Sequence, residues 1–203
     1  MKILYLYSEI CGYNISTIKA LIEKGAEVTI VHWDHKKVGE YTYKSIKGVD
    51  EYHRSKLTRK DILELAKQIN PDITVVSGWI DKGYLHTAKY LKSNKKIVVS
   101  LLDSNWENSI KNYITKILAK LNITSIFFSH FWIPGYPQYE YLKKLNIDDS
   151  KIIFNALSAD VSIFESSFYK YRDEKERHYP HRFLYVGRLS WQKSIPLLIS
   201  AWK

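Results

Sequence analysis

Lys2-Ile-Leu-Tyr-Leu-Tyr-Ser-Glu-Ile-Cys-Gly-Tyr-Asn-Ile-Ser-Thr-Ile-Lys-Ala-Leu-Ile-Glu-Lys-Gly-Ala-Glu-Val-Thr-Ile-Val-His32 is the stretch whose reading decides the fold. From Ile3 to Tyr7 every residue is apolar or aromatic, as expected of a strand buried on both faces. Ile15, Ile18, Leu21 and Ile22 then recur at helical spacing, with Asn14 placed to cap the helix and Gly25 to stop it. Glu27 to His32 is a second apolar run. Two strands joined by one helix make a parallel βαβ unit, because a parallel pair needs a crossover between its strands.

The alternation continues along the chain. The polar, aromatic stretch 39–52 predicts loops around a short strand at 45–47. Thr58 caps a helix bearing Ile62, Leu63, Leu65, Ala66 and Ile69, which ends at Asn70-Pro71. Residues 73–77, 96–102, 125–132 and 151–154 read as strands, and 82–92, 108–121 and 137–145 as helices. The helix from Asn108 carries Ile110, Tyr113, Ile114, Ile117, Leu118 and Leu121 on one face and keeps Lys111, Lys116 and Lys120 largely off it. This predicts an α/β fold, a Rossmann-like doubly wound parallel sheet over residues 1–165. The charged stretch 166–182 reads as an interdomain linker. Residues 183–203 then give a short apolar run, a turn at Gly187, and Leu197, Leu198, Ala201 and Trp202 on one helix face. Such a unit cannot bury its faces alone, so it reads as the first strand and helix of a second domain that the sequence cuts short.

Bulk properties narrow the function classes. The 203 residues hold a single cysteine, which forbids an internal disulfide and suits a reducing compartment. No apolar run approaches the roughly 18 residues of a membrane span, and the N-terminal run is too short for a secretory signal. A cytoplasmic location is expected. The net charge is +10, and between Lys82 and Lys151 there are eleven Lys, no Arg and five acids. Nucleic-acid readers rely on the bidentate guanidinium, so this distribution argues against a nucleic-acid partner. Compact ammonium groups suit a diffuse attraction to an anionic membrane surface at the inner face of the plasma membrane; they equally serve as ordinary solvating residues.

In an open parallel sheet, ligands gather beyond the carboxyl ends of the strands. The first such loop holds Cys11, Gly12 and Tyr13. Gly12 would let backbone N–H groups approach a phosphate at the helix N-terminus, or it forms an ordinary βα turn. A dinucleotide fingerprint is absent, which disfavours a nucleotide-dependent oxidoreductase. Two further loops, Gly78-Trp79-Ile80-Asp81 and Asp103-Ser104-Asn105-Trp106, each set an indole beside a carboxylate. An aromatic face next to an acceptor group is a common way to hold a sugar; Asp103 can also be read as a cap for the helix that follows. His130 reads as a core histidine. His32 and His35 would point to different faces of a strand end, with no third ligand nearby, so no metal site is expected.

A resemblance to a known family is carried by two segments. Phe154-Asn-Ala-Leu-Ser-Ala-Asp-Val-Ser-Ile-Phe164 is similar to the Pro-Asn-Gly-Val-Asp-x-x-x-Phe motif of retaining GT-B glycosyltransferases, of the family 4-like, group 1 kind. Asn155, Asp160 and Phe164 match, with Ala156 for Gly and a two-residue insertion. Gly187-Arg188-Leu189 followed by Lys193 resembles the start of the second domain in the same enzymes, with Ser194 where Gly is usual. Gly78-Trp79 and the 102–106 segment look like the members that build surface polysaccharides such as lipopolysaccharide or capsule.

The resemblance implies the N-terminal, acceptor-binding half of a GT-B fold. A nucleotide sugar would be the donor substrate, with no further cofactor. Gly12, Arg188 and Lys193 would bind the donor, the two cations neutralising its diphosphate. Tyr13, Trp79, Asp81, Asn105 and Trp106 would bind a glycan or glycolipid acceptor, and Asp103 would be the catalytic carboxylate. The donor-sugar glutamates of the family would lie beyond Lys203, so this chain alone is expected not to transfer sugar. The rival reading is a non-catalytic Rossmann-like module that docks through its basic face and the Asn108 helix on an anionic membrane or protein partner.

Overall fold

A computed structural model describes residues 1–34, 45–107, 109–120, 123–178, 183–187 and 189–202. The chain divides into two compact units, Met1–Asp160 and Val161–Lys203. In the first, strands β1 (Lys2–Tyr7), β2 (Glu27–His32), β3 (Val49–His53), β4 (Ile73–Val76), β5 (Ile97–Leu101), β6 (His130–Trp132) and β7 (Ile152–Ile153) form one sheet. Its order is β3-β2-β1-β4-β5-β6-β7 and every neighbouring pair is parallel. This is the doubly wound Rossmann-like α/β arrangement, with the strand order reversing between β1 and β4.

Two cores form because successive strand residues face opposite sides of the sheet. Leu4, Leu6, Val76 and Val98 point to one side, where helices α2 (Arg59–Ile69) and α3 (Lys82–Ser93) add Ile62, Ala66, Tyr84 and Ala88. Ile3, Tyr5, Ile30 and Val75 point to the other, where helix α1 (Gly12–Glu23) adds Ile18. Each such fully buried aliphatic side chain stabilises the fold by roughly 1.5–3 kcal/mol. Tyr84 also binds the sheet through its hydroxyl, which lies 3.1 Å from the Tyr7 carbonyl and 3.0 Å from that of Val31.

Local signals held where the chemistry was local. Thr58 caps α2 and Asp61 reciprocates, while Gly25 sits at φ +80°, a turn conformation that glycine adopts without strain. Within the first unit, three of the expectations need correction. Asn14 is not the cap: α1 starts at Gly12, and the Asn14 Oδ1 accepts the Cys11 N–H at 3.0 Å from within the first turn. The strand expected at 45–47 is β3, displaced to Val49–His53, with Ile46 N–H donating to Glu51 Oε1 at 2.8 Å just ahead of it; residues 39–44 of that stretch lie outside the described residues. The apolar run 125–132 is not one strand. Helix α5 (Ile123–Phe127) occupies its first part, closed by the Phe128 N–H donating to the Thr124 carbonyl at 3.2 Å, and only β6 is extended. An apolar run by itself does not distinguish a buried helix turn from a buried strand.

Helix α4 (Ile110–Lys120) begins two residues after the expected start at Asn108, which is outside the described residues. Helix α6 (Tyr136–Lys144) carries Pro137 in its first turn, where a missing N–H costs nothing. The second unit contains helix α7 (Val161–Arg177), which takes in most of the stretch read as a linker, and helix α8 (Ile195–Ala201). Residues 183–186 form no strand, contrary to expectation. An extended segment with no neighbouring ladder has nothing to pair its backbone groups with. Within this unit the Phe183 and Trp202 rings meet edge to face at 4.3 Å. Among the described residues no helix is long and apolar enough to cross a membrane.

Candidate functional site

Three of the loops that follow strands at the carboxyl edge of the sheet are locked together by one carboxylate. Asp81 caps α3, accepting from the N–H groups of Gly83 at 2.7 Å and Tyr84 at 3.2 Å. It also accepts from Trp33 Nε1 at 3.0 Å, from the loop after β2, and from both edges of the Arg54 guanidinium, from the turn after β3. Gly83 has no room for a larger residue, since a Cβ there would lie 2.8 Å from Arg54 Nη2. Burial pushes the Asp81 carboxyl up, yet hydrogen bonds from Arg54, Trp33 and the Tyr84 N–H outweigh it and hold the group below its usual range. With five donors on two oxygens, Asp81 has no lone pair left for a sugar hydroxyl, so the expectation that it binds the acceptor gives way to a structural role.

Beyond β4 and β5 lies a cleft of about 830 Å³, within the size range of small-molecule sites. Gly78, at φ +63°, turns the chain out of β4 so that Trp79 and Ile80 form one wall. Asp103, Ser104 and Asn105 supply another, and Asn112 and Thr115 of α4 a third. Asp103 is exposed, and it is not a helix cap: Ser109 holds that position, its carbonyl accepting from Asn112 and Tyr113. The loop that bears Asp103 is fixed by Gln138 on α6. The Gln138 amide nitrogen donates to the Asp103 carbonyl at 3.1 Å and to Asn105 Oδ1 at 2.6 Å, and Gln138 is only 8% exposed. No motif in the sequence marked Gln138, because its role depends on α6 meeting the loop after β5.

The charge of Asp103 also reaches the first loop. Burial raises the Cys11 thiol; a Tyr13 hydrogen bond acts against it, and Glu9 and Asp103 add to the rise. Burial likewise drives the Tyr7 and Tyr13 hydroxyls well above the usual range, with Asp103 contributing to each. Cys11 is therefore a thiol at neutral pH, and the Asp103 charge is felt across the switch point.

The cleft thus brings together Trp79, Asp103 and Asn105 from the residues singled out in the sequence. It does not include Tyr13, which bonds Cys11, or Trp106. Trp106 is a wedge instead, edge-on to Tyr113 at 5.8 Å and to Tyr141 at 5.6 Å. Trp79 is shared, lining the cleft while packing edge-on against Phe128 at 4.7 Å. Gly12 is the first residue of α1, with open space where a Cβ would stand. Lys193 ends a 3₁₀ turn, Trp191–Lys193, in the second unit, and Arg188 lies outside the described residues. Ala156 is not in the left-handed region; the neighbours Asn155 and Leu157 are, at φ +64° and +62°. Alanine therefore serves at 156 without strain, and the turn conformation a glycine would permit falls on the flanking residues.

Fold and cleft together define a doubly wound Rossmann-like domain with a cleft at the carboxyl ends of β4 and β5. No family model matches the sequence, and no curated protein matches it. Among solved structures the chain is similar to an alpha-glucosyltransferase in complex with UDP-glucose and DNA containing an abasic site, with a TM-score of 0.51 and 14% identity over 82% of this chain and 45% of that one. The same figures for an alpha-glucosyltransferase in complex with UDP and a 13-mer DNA containing a HMU base are 0.50, 14%, 82% and 45%. The Bordetella bronchiseptica enzyme WbmH in complex with NAD+ overlaps less, with a TM-score of 0.43 at 14% identity over 66% of this chain and 55% of that one. The chain spans less than half the length of the alpha-glucosyltransferases it matches. At these identities the likeness establishes the fold.

Proposed function

We propose that this chain is the acceptor-binding half of a GT-B glycosyltransferase, family 4-like, that moves a sugar from a nucleotide-sugar donor to a glycan or glycolipid acceptor of the cell surface. The observation that carries the reading is the cleft: beyond the carboxyl ends of β4 and β5, an exposed Asp103 and Asn105 share its lining with Trp79. An aromatic face and open hydrogen-bonding groups suit a carbohydrate ring with its hydroxyls. The overlap with a UDP-glucose-bound alpha-glucosyltransferase supports it.

Asp103 accepts a hydroxyl of the acceptor and draws on its proton as the glycosidic bond forms. Gln138 keeps the carboxylate in place through the loop backbone. Gly12 leaves room at the α1 N-terminus for a donor phosphate, and the family resemblance assigns Arg188 and Lys193 to the donor diphosphate. The protein works in the cytoplasm, where nucleotide sugars are made. The difference in tryptophan fluorescence between the wild type and Trp79→Phe, during titration with a panel of neutral oligosaccharides, tests the reading, because the chain has six tryptophans. Saturable quenching that Asp103→Asn abolishes, with the fold unchanged, supports it; no saturation with any member of the panel overturns it.

A further inference from the structure

The charge of the cleft runs against the charge of the chain. With 31 Lys and Arg against 21 acids the protein carries a net +10. The cleft lining nevertheless holds two carboxylates, Asp103 and Glu107, and among the described residues no Lys, Arg or His. Both side chains are exposed. Among the described residues no ion pair occupies either carboxylate.

The backbone that carries the two acids is fixed at both ends. Gln138 Nε2 donates to the Asp103 carbonyl at 3.1 Å, and Asn112 Nδ2, from the first turn of α4, donates to the Glu107 carbonyl at 2.7 Å. Two other parts of the lining point to a polar ligand. Thr124 on α5 is only 4% exposed, and its hydroxyl has no hydrogen-bond partner among the described residues. Leaving such a group unpaired costs free energy that a ligand hydroxyl can restore. Trp79 supplies an indole, whose face attracts a cation as well as the C–H surface of a sugar.

We infer that the cleft selects an acceptor sugar bearing a protonated amine and turns away acidic sugars. The ammonium group meets the Asp103 and Glu107 carboxylates, Thr124 takes a ring hydroxyl, and the indole covers the ring. A cleft lined by one sign of charge concentrates ligands of the other sign, and an acidic sugar would set like charges together. A divalent metal would ask for more oxygen ligands than two carboxylates give, and among the described residues no group of three or more His, Cys, Asp or Glu stands together. The inference rests on the proposed function in taking the cleft as the acceptor site, and adds the charge class of the acceptor.

Titration calorimetry of the chain at pH 6, which keeps sugar amines protonated, tests it with three trisaccharides: a glucosamine trimer, its N-acetylated counterpart and a galacturonic acid trimer. The first two share a ring frame and differ in charge. The amine trimer is expected to bind about 5-fold more tightly than the N-acetylated one, the scale of an exposed charge pair, with a margin that shrinks as salt is added. The galacturonic acid trimer should bind least. Glu107→Gln should bring the first two trimers to nearly equal affinity without weakening the neutral one, and Glu107→Asp should keep most of the margin. The side chain is exposed, so circular dichroism and Tm stay as in the wild type. A preference that survives Glu107→Gln overturns the inference, as does an acidic trimer that binds as well as the amine. Saturation by the N-acetylated trimer with no gain from the amine removes this inference and leaves the proposed function standing, whereas failure of every neutral sugar to saturate overturns both.

Discussion

Arg54 grips Asp81 with both edges of its guanidinium, Nε reaching Oδ2 at 2.8 Å and Nη2 reaching Oδ1 at 3.2 Å. The side chains are 19% and 9% exposed. Removing one member of such a pair leaves a charge away from water with nothing to balance it. Arg54→Ala is expected to destabilise the first unit by about 3 kcal/mol, read from urea unfolding at neutral pH.

The same pair sets an acid limb. The Asp81 carboxyl titrates lower in the folded chain than in the unfolded one, so its contribution is present above the unfolded value and is lost as pH falls through the folded one. The wild type should lose stability on acidification below about pH 4. Asp81→Asn should be less stable at pH 7 and lose less across that acid window. Parallel slopes for the two proteins would contradict this.

Gly83 and Arg54 are coupled sterically. A Cβ at 83 would also fall 3.0 Å from Asp81 Oδ1 and 3.3 Å from Ile62 Cδ1, so Gly83→Ala displaces the guanidinium and weakens the ion pair. The substitution should cost about 2 kcal/mol alone and clearly less in an Arg54→Ala background, the non-additivity expected of residues in contact. A double-mutant cycle measures it.

Gln138 is a positioning residue for the cleft. Gln138→Leu removes both bonds to the 103–105 loop and leaves the Asp103 carbonyl unpaired, a loss of about 1–3 kcal/mol. Oligosaccharide affinity should fall about tenfold, the equivalent of roughly 1.4 kcal/mol. Gln138→Glu, which can no longer donate from that position at neutral pH, should weaken affinity in the same way, whereas a merely space-filling role would leave Gln138→Leu unaffected in binding.

Asp103→Asn should separate function from folding. The side chain is exposed, so stability should change by less than about 0.5 kcal/mol, while acceptor binding is lost. The variant also removes a negative charge that helps keep the Cys11 thiol protonated, so alkylation of Cys11 at mildly alkaline pH should become faster.

The elements were legible where their signals were local. The β1-α1-β2 unit, the Thr58 cap and the α3 and α6 helices follow from spacing and capping residues alone. The 125–132 run departs from the expected strand because burial is encoded there and backbone shape is not. For the site, the loops carrying Trp79 and Asp103 could be named, since position after a buried strand places them at the carboxyl edge. Nothing near Asp81 or Trp106 told that one would spend its oxygens on Arg54 and Trp33, or that the other would wedge against Tyr113 and Tyr141.

By itself the sequence determined that strands and helices alternate and which residues face a core, because both are set by periodicities of two and 3.6 along neighbouring residues. Only the tertiary structure decided the sheet order, which puts β4 beside β1 and β5 beside β4 and so brings the loops after β4 and β5 together around the cleft. It likewise decided that Gln138 reaches Asp103 from thirty-five positions away, that Asp81 is a structural hub, and that the α4 isoleucines stay in water. These depend on hydrogen bonds and packing between distant segments, which local spacing does not encode.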